Sequence, residues 1–360
     1  MAESHQWHLW ANAGRVGPKR TRYRVALVGE SVARGFLYDP LYTPARVLEA
    51  ILQSRLGAGE VEVVDLARVN LSLDGVRSLL ASTHLLDVDA VVVFAGNNWS
   101  RAGLDSSARV RFAMALRERG IAGMKEAVEA IHARAVSAIV RDVAGVCRGR
   151  SLPLVWMLPE FNLGDWRDAW STAPHLPGDG NGAWLTNHDE ARAALSAGAL
   201  DVAEARAQAM IGLEGGTCVT GWYLLVACAQ RRGDRELEYA RLARARDALI
   251  WSPLRIAPRP HAISARIVQD ELAAAGHRVI DLASVLGEAL GGAVPDRPVF
   301  LDYCHMTSLG IECAMSAAAG QVLEALGRPT APWGTLRASA LHPEPRVQAE
   351  ALFMAALHNS

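Results

Sequence analysis

The stretch VALVGESVARG, Val25 to Gly35, decides how this chain folds. An apolar run passes straight into a glycine, a carboxylate and a serine. Such a run reads as a buried strand that turns at Gly29 into a helix, which leaves open what Ser31 does at the join. Serine is a favoured helix N-cap. It is also a nucleophile when mounted at the carboxyl end of a strand, where open α/β sheets bind their ligands. Partners elsewhere in the chain must decide between the two.

Outward from this stretch, short apolar runs alternate with longer helical patterns. The first strand is predicted over Tyr23–Gly29, with a helix over 45–56 after the Thr43-Pro44 start signal. EVEVVDL (60–66) predicts a second strand and DGVRSLLAST a short helix after it. VDAVVVFAG (88–96) is continuously apolar, as expected of a strand covered on both faces. A long helical stretch follows around 123–147, then a fourth strand over 152–159, a fifth over 277–282 and a closing helix over 308–326. This alternation predicts an α/β fold of three layers, α/β/α, around a mostly parallel five-stranded sheet.

From about Trp184 to Trp251 the chain is Ala- and Arg-rich and helical in pattern. Helices end at Gly198 and Gly233, 35 residues apart, and new ones begin at Asp201 and Asp234, 33 apart. That spacing resembles the 34-residue tetratricopeptide repeat over roughly one and a half units. An ordinary helical hairpin pair explains the same pattern. Too few repeats are present to stand alone, so the segment is expected to pack on the α/β body. The expected organisation is an arm (1–21), an α/β domain (22–160 and 252–328), a helical insert (161–251), and a C-terminal wrap and helix (329–360).

With 360 residues, 51% hydrophobic and 21% charged, the chain can bury a sizeable core. A net charge of −1 gives no global footprint for nucleic acid or an anionic membrane, and neither is expected as a partner. The basic cluster Arg15, Lys19, Arg20, Arg22 and Arg24 reads as a solvated arm. No leader pattern and no bilayer-spanning apolar run is visible. Five cysteines, an odd number without a Cys-x-x-Cys pair, read as reduced thiols of a cytoplasmic protein. No metal and no cofactor is implied.

Three further stretches bear on Ser31. FAGNNW (Phe94–Trp99) follows the third strand and puts Gly96, Asn97 and Asn98 on the same rim. VDLARVNLS puts Asn70 just past the second strand. FLDYCHMTSLG carries Asp302 and His305 three apart before the last helix, and such a loop can aim both side chains at one point. Histidine supplies a base near neutral pH, and a carboxylate beside it fixes its tautomer. LPEFNLGDWRDAW leaves the fourth strand on this rim with Glu160, Asn162, Asp165, Trp166 and Trp170. It reads either as a capped loop whose tryptophans cover the core or as a substrate loop with aromatic walls.

In this order these residues resemble the SGNH hydrolases, the GDSL esterase/lipase family. Its Gly-Asp-Ser is matched by Gly29-Glu30-Ser31, its Gly-x-Asn by Gly96-Asn97-Asn98, and its Asp-x-x-His by Asp302 and His305, followed by Thr307 and Gly310. Trp99 stands where an acidic residue is often found. Where the family places an oxyanion-hole glycine this chain has Asn70, a residue type that tolerates left-handed backbone angles, with Ala67 upstream. The resemblance implies a flavodoxin-like fold and cleavage of an acyl ester through an acyl-serine. Ser31 would be the nucleophile, His305 the base and Asp302 its orienting carboxylate. The N–H groups of Ser31 and Asn70 and the Asn98 amide would hold the oxyanion. Glu30 would hydrogen-bond nearby loop backbone rather than act as an acid. Gly96, Asn97, Trp99, Glu160, Asn162 and Trp166 are expected around a small-molecule acyl ester. An acyltransferase would add a second substrate, an amine or hydroxyl acceptor. A different class is a repeat-based binding protein with a vestigial site, its helical insert gripping a protein partner or a second copy.

Overall fold

Five apolar runs become five parallel strands: β1 (Tyr23–Gly29), β2 (Val61–Asp65), β3 (Ala90–Phe94), β4 (Leu154–Met157) and β5 (Arg278–Ile280). The structure is a computed structural model that describes residues 16–99, 106–165, 176–248 and 261–358. The strand order is β2-β1-β3-β4-β5, the flavodoxin-like arrangement, whose topological switch point lies between β1 and β3. Strand side chains alternate between faces. Val25, Leu27, Val92 and Phe94 enter one core, while Ala26, Val28, Val91 and Val93 enter the other.

The first helices are α1 (Ser31–Arg34), α2 (Pro44–Leu56), α3 (Leu73–Ser82) and α4 (Ser106–Gly149). Thr43 caps α2 by accepting the Arg46 N–H at 3.4 Å, and Pro44 occupies its first turn where no N–H is needed. α4 is interrupted at Gly120, whose backbone (φ 67°, ψ −162°) separates two helical segments. Next come α5 (Gly180–Ser196), α6 (Leu200–Glu214), α7 (Val219–Arg232) and α8 (Arg235–Ala248), then α9 (His261–Ala274), α10 (Leu282–Ala289) and α11 (Ser308–Ala325). Two C-terminal helices follow, α12 (Trp333–Arg337) and α13 (Pro345–His358). Helices α2 and α11 cover one face of the sheet; α3, the second segment of α4, and α9 cover the other. Three layers result. α13 is held by its buried Ala351 and Ala355 and by the Tyr38 hydroxyl, which donates to Gln348 at 2.9 Å.

One sequence expectation is corrected here. Arg24 is not part of a solvated arm but is 2% exposed inside β1. Its guanidinium pairs with Glu62 of β2 at 2.7 Å and donates to the Leu86 and Gly17 carbonyls. Lys19 pairs with Asp89 at 2.7 Å. The strand begins early enough to draw the run's last arginine against the carboxylates at the sheet's amino end. Arg15 and the rest of 1–15 lie outside the described residues. All five cysteines are buried free thiols. Among the described residues, no helix is long and apolar enough to cross a membrane.

Candidate active site

Gly29 ends β1 opposite Phe94 of β3. A Cβ there would lie 2.1 Å from the Phe94 carbonyl oxygen and 2.4 Å from Ala33 Cβ, so only glycine permits this tight join. The chain turns at once into α1, whose first residue is Ser31. The Ser31 side chain does not cap that helix. Its Oγ lies 2.8 Å from His305 Nε2, and His305 Nδ1 lies 2.6 Å from Asp302 Oδ2. Asp302 Oδ1 accepts the backbone N–H groups of Cys304 and His305 at 2.9 and 2.7 Å. With Nδ1–H directed at Asp302, the network assigns a free Nε2 lone pair facing the serine hydroxyl. Burial works to raise the Asp302 carboxyl, but the His305 hydrogen bond and charge and the two N–H donors together hold it below its ordinary value. Ser31, His305 and Asp302 are 5%, 6% and 1% exposed.

The loop carrying Asp302 and His305 is braced at both ends. Leu301 donates to the His305 carbonyl at 2.7 Å, and Thr307 caps α11 through Gly310 N–H at 3.3 Å. The Thr307 hydroxyl also donates to the Pro298 carbonyl at 2.8 Å. Three neighbours were not found from sequence. The Phe36 ring lies 4.6 Å from that of His305, and Tyr303 meets it edge-on at 5.9 Å. His358, at the end of α13, sits against Phe36 with Nε2 3.7 Å from Asp302 Oδ2. No spacing rule links a histidine 53 residues downstream to this loop; only the docking of α13 brings it there.

Glu30 is fully buried, and its Oε2 accepts three backbone N–H groups, those of Gly96, Asn97 and Asn98, at 3.3, 3.1 and 3.2 Å. It therefore fixes the β3 exit loop directly beside Ser31. Burial pushes its carboxyl up to about 7, against those three donors and the Trp99 side chain. On its other side the loop is tied to the histidine loop by Asn97 Nδ2, 3.6 Å from Cys304 Sγ. Asn70 is exposed with φ 60°, left-handed as glycine would be. The Arg68 N–H donates to the Gly29 carbonyl at 2.9 Å, holding that segment to the end of β1. Ser31, Asn70 and Asn98 thus stand at the carboxyl exits of three adjacent strands, β1, β2 and β3. The Ser31 N–H is the first of its helix and has no intrahelical carbonyl to bond.

Among the remaining candidates, Trp99, Glu160 and Asn162 take up contacts of their own. Trp99 is 2% exposed and packs edge-on against Trp156 at 5.8 Å, beneath the rim rather than along a substrate wall. Glu160 accepts the Phe161 N–H and the Tyr239 hydroxyl, both at 2.7 Å, and pairs with Arg246 at 3.0 Å. Asn162 donates its N–H to the Tyr303 carbonyl at 2.9 Å and accepts the Asp165 N–H through Oδ1 at 3.0 Å. Both residues hold the β4 exit loop in place, Glu160 to α8 and Asn162 to the histidine loop. Trp166 and Trp170 lie outside the described residues. Asp302, Cys304 and His305 present possible metal-ligand atoms within 4.8 Å of one another, but the Asp302 carboxylate and His305 Nδ1 already bond each other.

No protein-family model and no curated protein matches the chain. Among solved structures, a lipase/acylhydrolase from Enterococcus faecalis matches at 14% identity and a TM-score of 0.36, covering 83% of this chain and 95% of that one. A lipase from a goat rumen metagenome matches at 8% identity and a TM-score of 0.27, covering 71% of this chain and 98% of that one. The fold assignment rests on the strand order and register themselves.

Proposed function

We propose that this protein is a serine hydrolase of the SGNH type that cleaves an acyl ester through an acyl-serine intermediate. The observation that carries the reading is the continuous hydrogen-bond chain Ser31–His305–Asp302, with its 2.8 and 2.6 Å links. His305 Nε2 takes the hydroxyl proton as Ser31 Oγ attacks the acyl carbon, and Asp302 stabilises the imidazolium that forms. The oxyanion is held by the N–H groups of Ser31 and Asn70 and by the Asn98 side-chain amide. Collapse breaks the bond from the acyl carbon to the leaving oxygen, and His305 returns its proton to the departing alcohol. Water then attacks the acyl-serine, giving one proton to His305, which passes it to Ser31 Oγ as the acid leaves.

The test is covalent. A fluorophosphonate probe should label the wild type at Ser31 and leave the Ser31→Ala variant unlabelled. Equal labelling of both removes Ser31 from the mechanism. Burial of the nucleophile and base, with His358 at their edge, supports a second reading in which an amine or hydroxyl acceptor replaces water. p-Nitrophenyl acetate turnover with added amines or alcohols separates the two. Product partitioning wholly to water rules out transfer to those acceptors.

A further inference from the structure

The two segments of α4 differ in what they cover. The second packs on the sheet, whereas the first, over 106–119, leaves Val110, Met114 and Leu116 at 61%, 55% and 46% exposure. Helical spacing puts Val110, Ala113, Met114 and Arg117 on one stripe, and all four are exposed. The opposite stripe is already turned inward, with Ala108 and Ala115 buried and Phe112 half-buried. Among the described residues, packing therefore accounts for one apolar stripe and not for the other.

The charges beside the outer stripe say what would cover it. The segment carries Arg109, Arg111, Arg117 and Arg119 against the single acid Glu118, in a chain whose net charge is −1. Arg119 pairs with Glu126, but among the described residues Arg109 and Arg117 have no carboxylate partner. Val110, Ala113 and Met114, with Arg117 among them and Arg109 and Arg111 to either side, suit the boundary of a lipid bilayer, where the aliphatic stems and apolar side chains enter the acyl region and the guanidinium heads stay with the phosphates. A symmetric contact with a second copy would bring the same arginines face to face. Nucleic acid would leave Val110 and Met114 unused.

We propose that the 106–119 segment docks this protein, reversibly and lying in the interface, on an anionic lipid surface. The inference goes beyond the esterase reading and does not depend on it. The whole-chain charge, which gave no reason to expect a membrane, averages this helix against acidic residues elsewhere.

The experiment is co-sedimentation of the full-length protein with vesicles of phosphatidylcholine alone and of phosphatidylcholine mixed with phosphatidylglycerol. Wild type should partition to the mixed vesicles about tenfold or more above pure phosphatidylcholine and be released by high salt. Met114→Glu and the double change Arg109→Glu/Arg117→Glu should each lower that partition by about tenfold, with thermal melts and fluorophosphonate labelling unchanged. Val110→Ser serves in place of Met114→Glu if that variant melts early. Failure of the wild type to sediment with the mixed vesicles, or equal partition of the variants, overturns the proposal. So does a dimer in light scattering that Met114→Glu abolishes without any vesicle binding, since the stripe is then a self-association face.

Discussion

At Glu30 the chain buries a carboxylate whose Oε2 serves three backbone N–H groups. Its folded-state value of about 7 lies above the ordinary 4.5, so its contribution to stability is fully present below 4.5 and is lost as pH rises through 7. The shift corresponds to about 3 kcal/mol at its full extent. Glu30→Gln keeps an acceptor for the loop and removes the ionisation. The variant's melting temperature should therefore gain on wild type from pH 5 to pH 8, and a flat difference across that range overturns the assignment. His132 titrates in the opposite sense, since burial lowers it to about 4, while burial raises Glu160, Glu214 and Asp65 as it does Glu30, so wild-type stability alone mixes them and the variant-minus-wild-type difference isolates Glu30. Asp302, held low, destabilises the fold only at pH values below this window. The catalytic role we propose for it is tested by Asp302→Asn, which should lower kcat by about 10³–10⁴ through loss of the correct His305 tautomer. Asn98→Ala should lower kcat by about 10²–10³ with KM little changed, since an oxyanion donor acts in the transition state. A change confined to KM would make Asn98 a binding residue instead.

Between elements, the buried Glu160 is tied to the part-buried Tyr239, Arg246 and Asp247. Arg246 bonds Glu160 at 3.0 Å and Asp247 at 2.9 Å, and Asp247 also accepts the N–H groups of His261 and Ala262 at the start of α9. Arg246→Ala leaves the buried Glu160 and the part-buried Asp247 without their cation and should cost about 3 kcal/mol, read from denaturant unfolding. A loss under 1 kcal/mol would mean that the pair is neutralised by other means. This tie was not legible in the sequence, because its members lie far apart in the chain and meet only after α8 folds back on the β4 exit. The five strands were legible, because each is a short, mostly apolar run bounded by turn residues, and β1, β3 and β4 are covered on both faces. Gly29-Glu30-Ser31 and Asp302-x-x-His305 were legible for a related reason: each group is confined to one short turn or loop at the start of a helix, so sequence spacing maps onto geometry. Trp99 was expected around the substrate, and its side chain packs edge-on against Trp156. Adjacency along a loop says nothing about which way its side chains point.

Across the whole molecule, stability is distributed unevenly, and the core composition says how. The two sheet faces carry large continuous clusters in which β1, β3 and β4 are buried on both sides. Val226 of α7 and Leu242 of α8 belong to one of them. Helices α5 and α6 share only small satellite clusters, Trp184 with Met210 and Cys218, and Ala194 with Ala203 and Cys228. Amides open in cooperative units whose free energy follows the apolar surface each unit buries. Hydrogen exchange under native conditions should therefore run fastest in α5 and α6, slower in α7 and α8, and slowest in β1, β3 and β4. Met210 is fully buried, so Met210→Ala should cost about 2–5 kcal/mol locally. It should speed exchange in α5 and α6 and leave β3 protection and fluorophosphonate labelling as they were. Exchange in α5 as slow as in β3, or loss of β3 protection in that variant, would mean that these helices and the sheet unfold as one unit. The two small clusters predict the opposite, because α5 and α6 can separate from the sheet without exposing the residues that hold Ser31 and Asn98 in place.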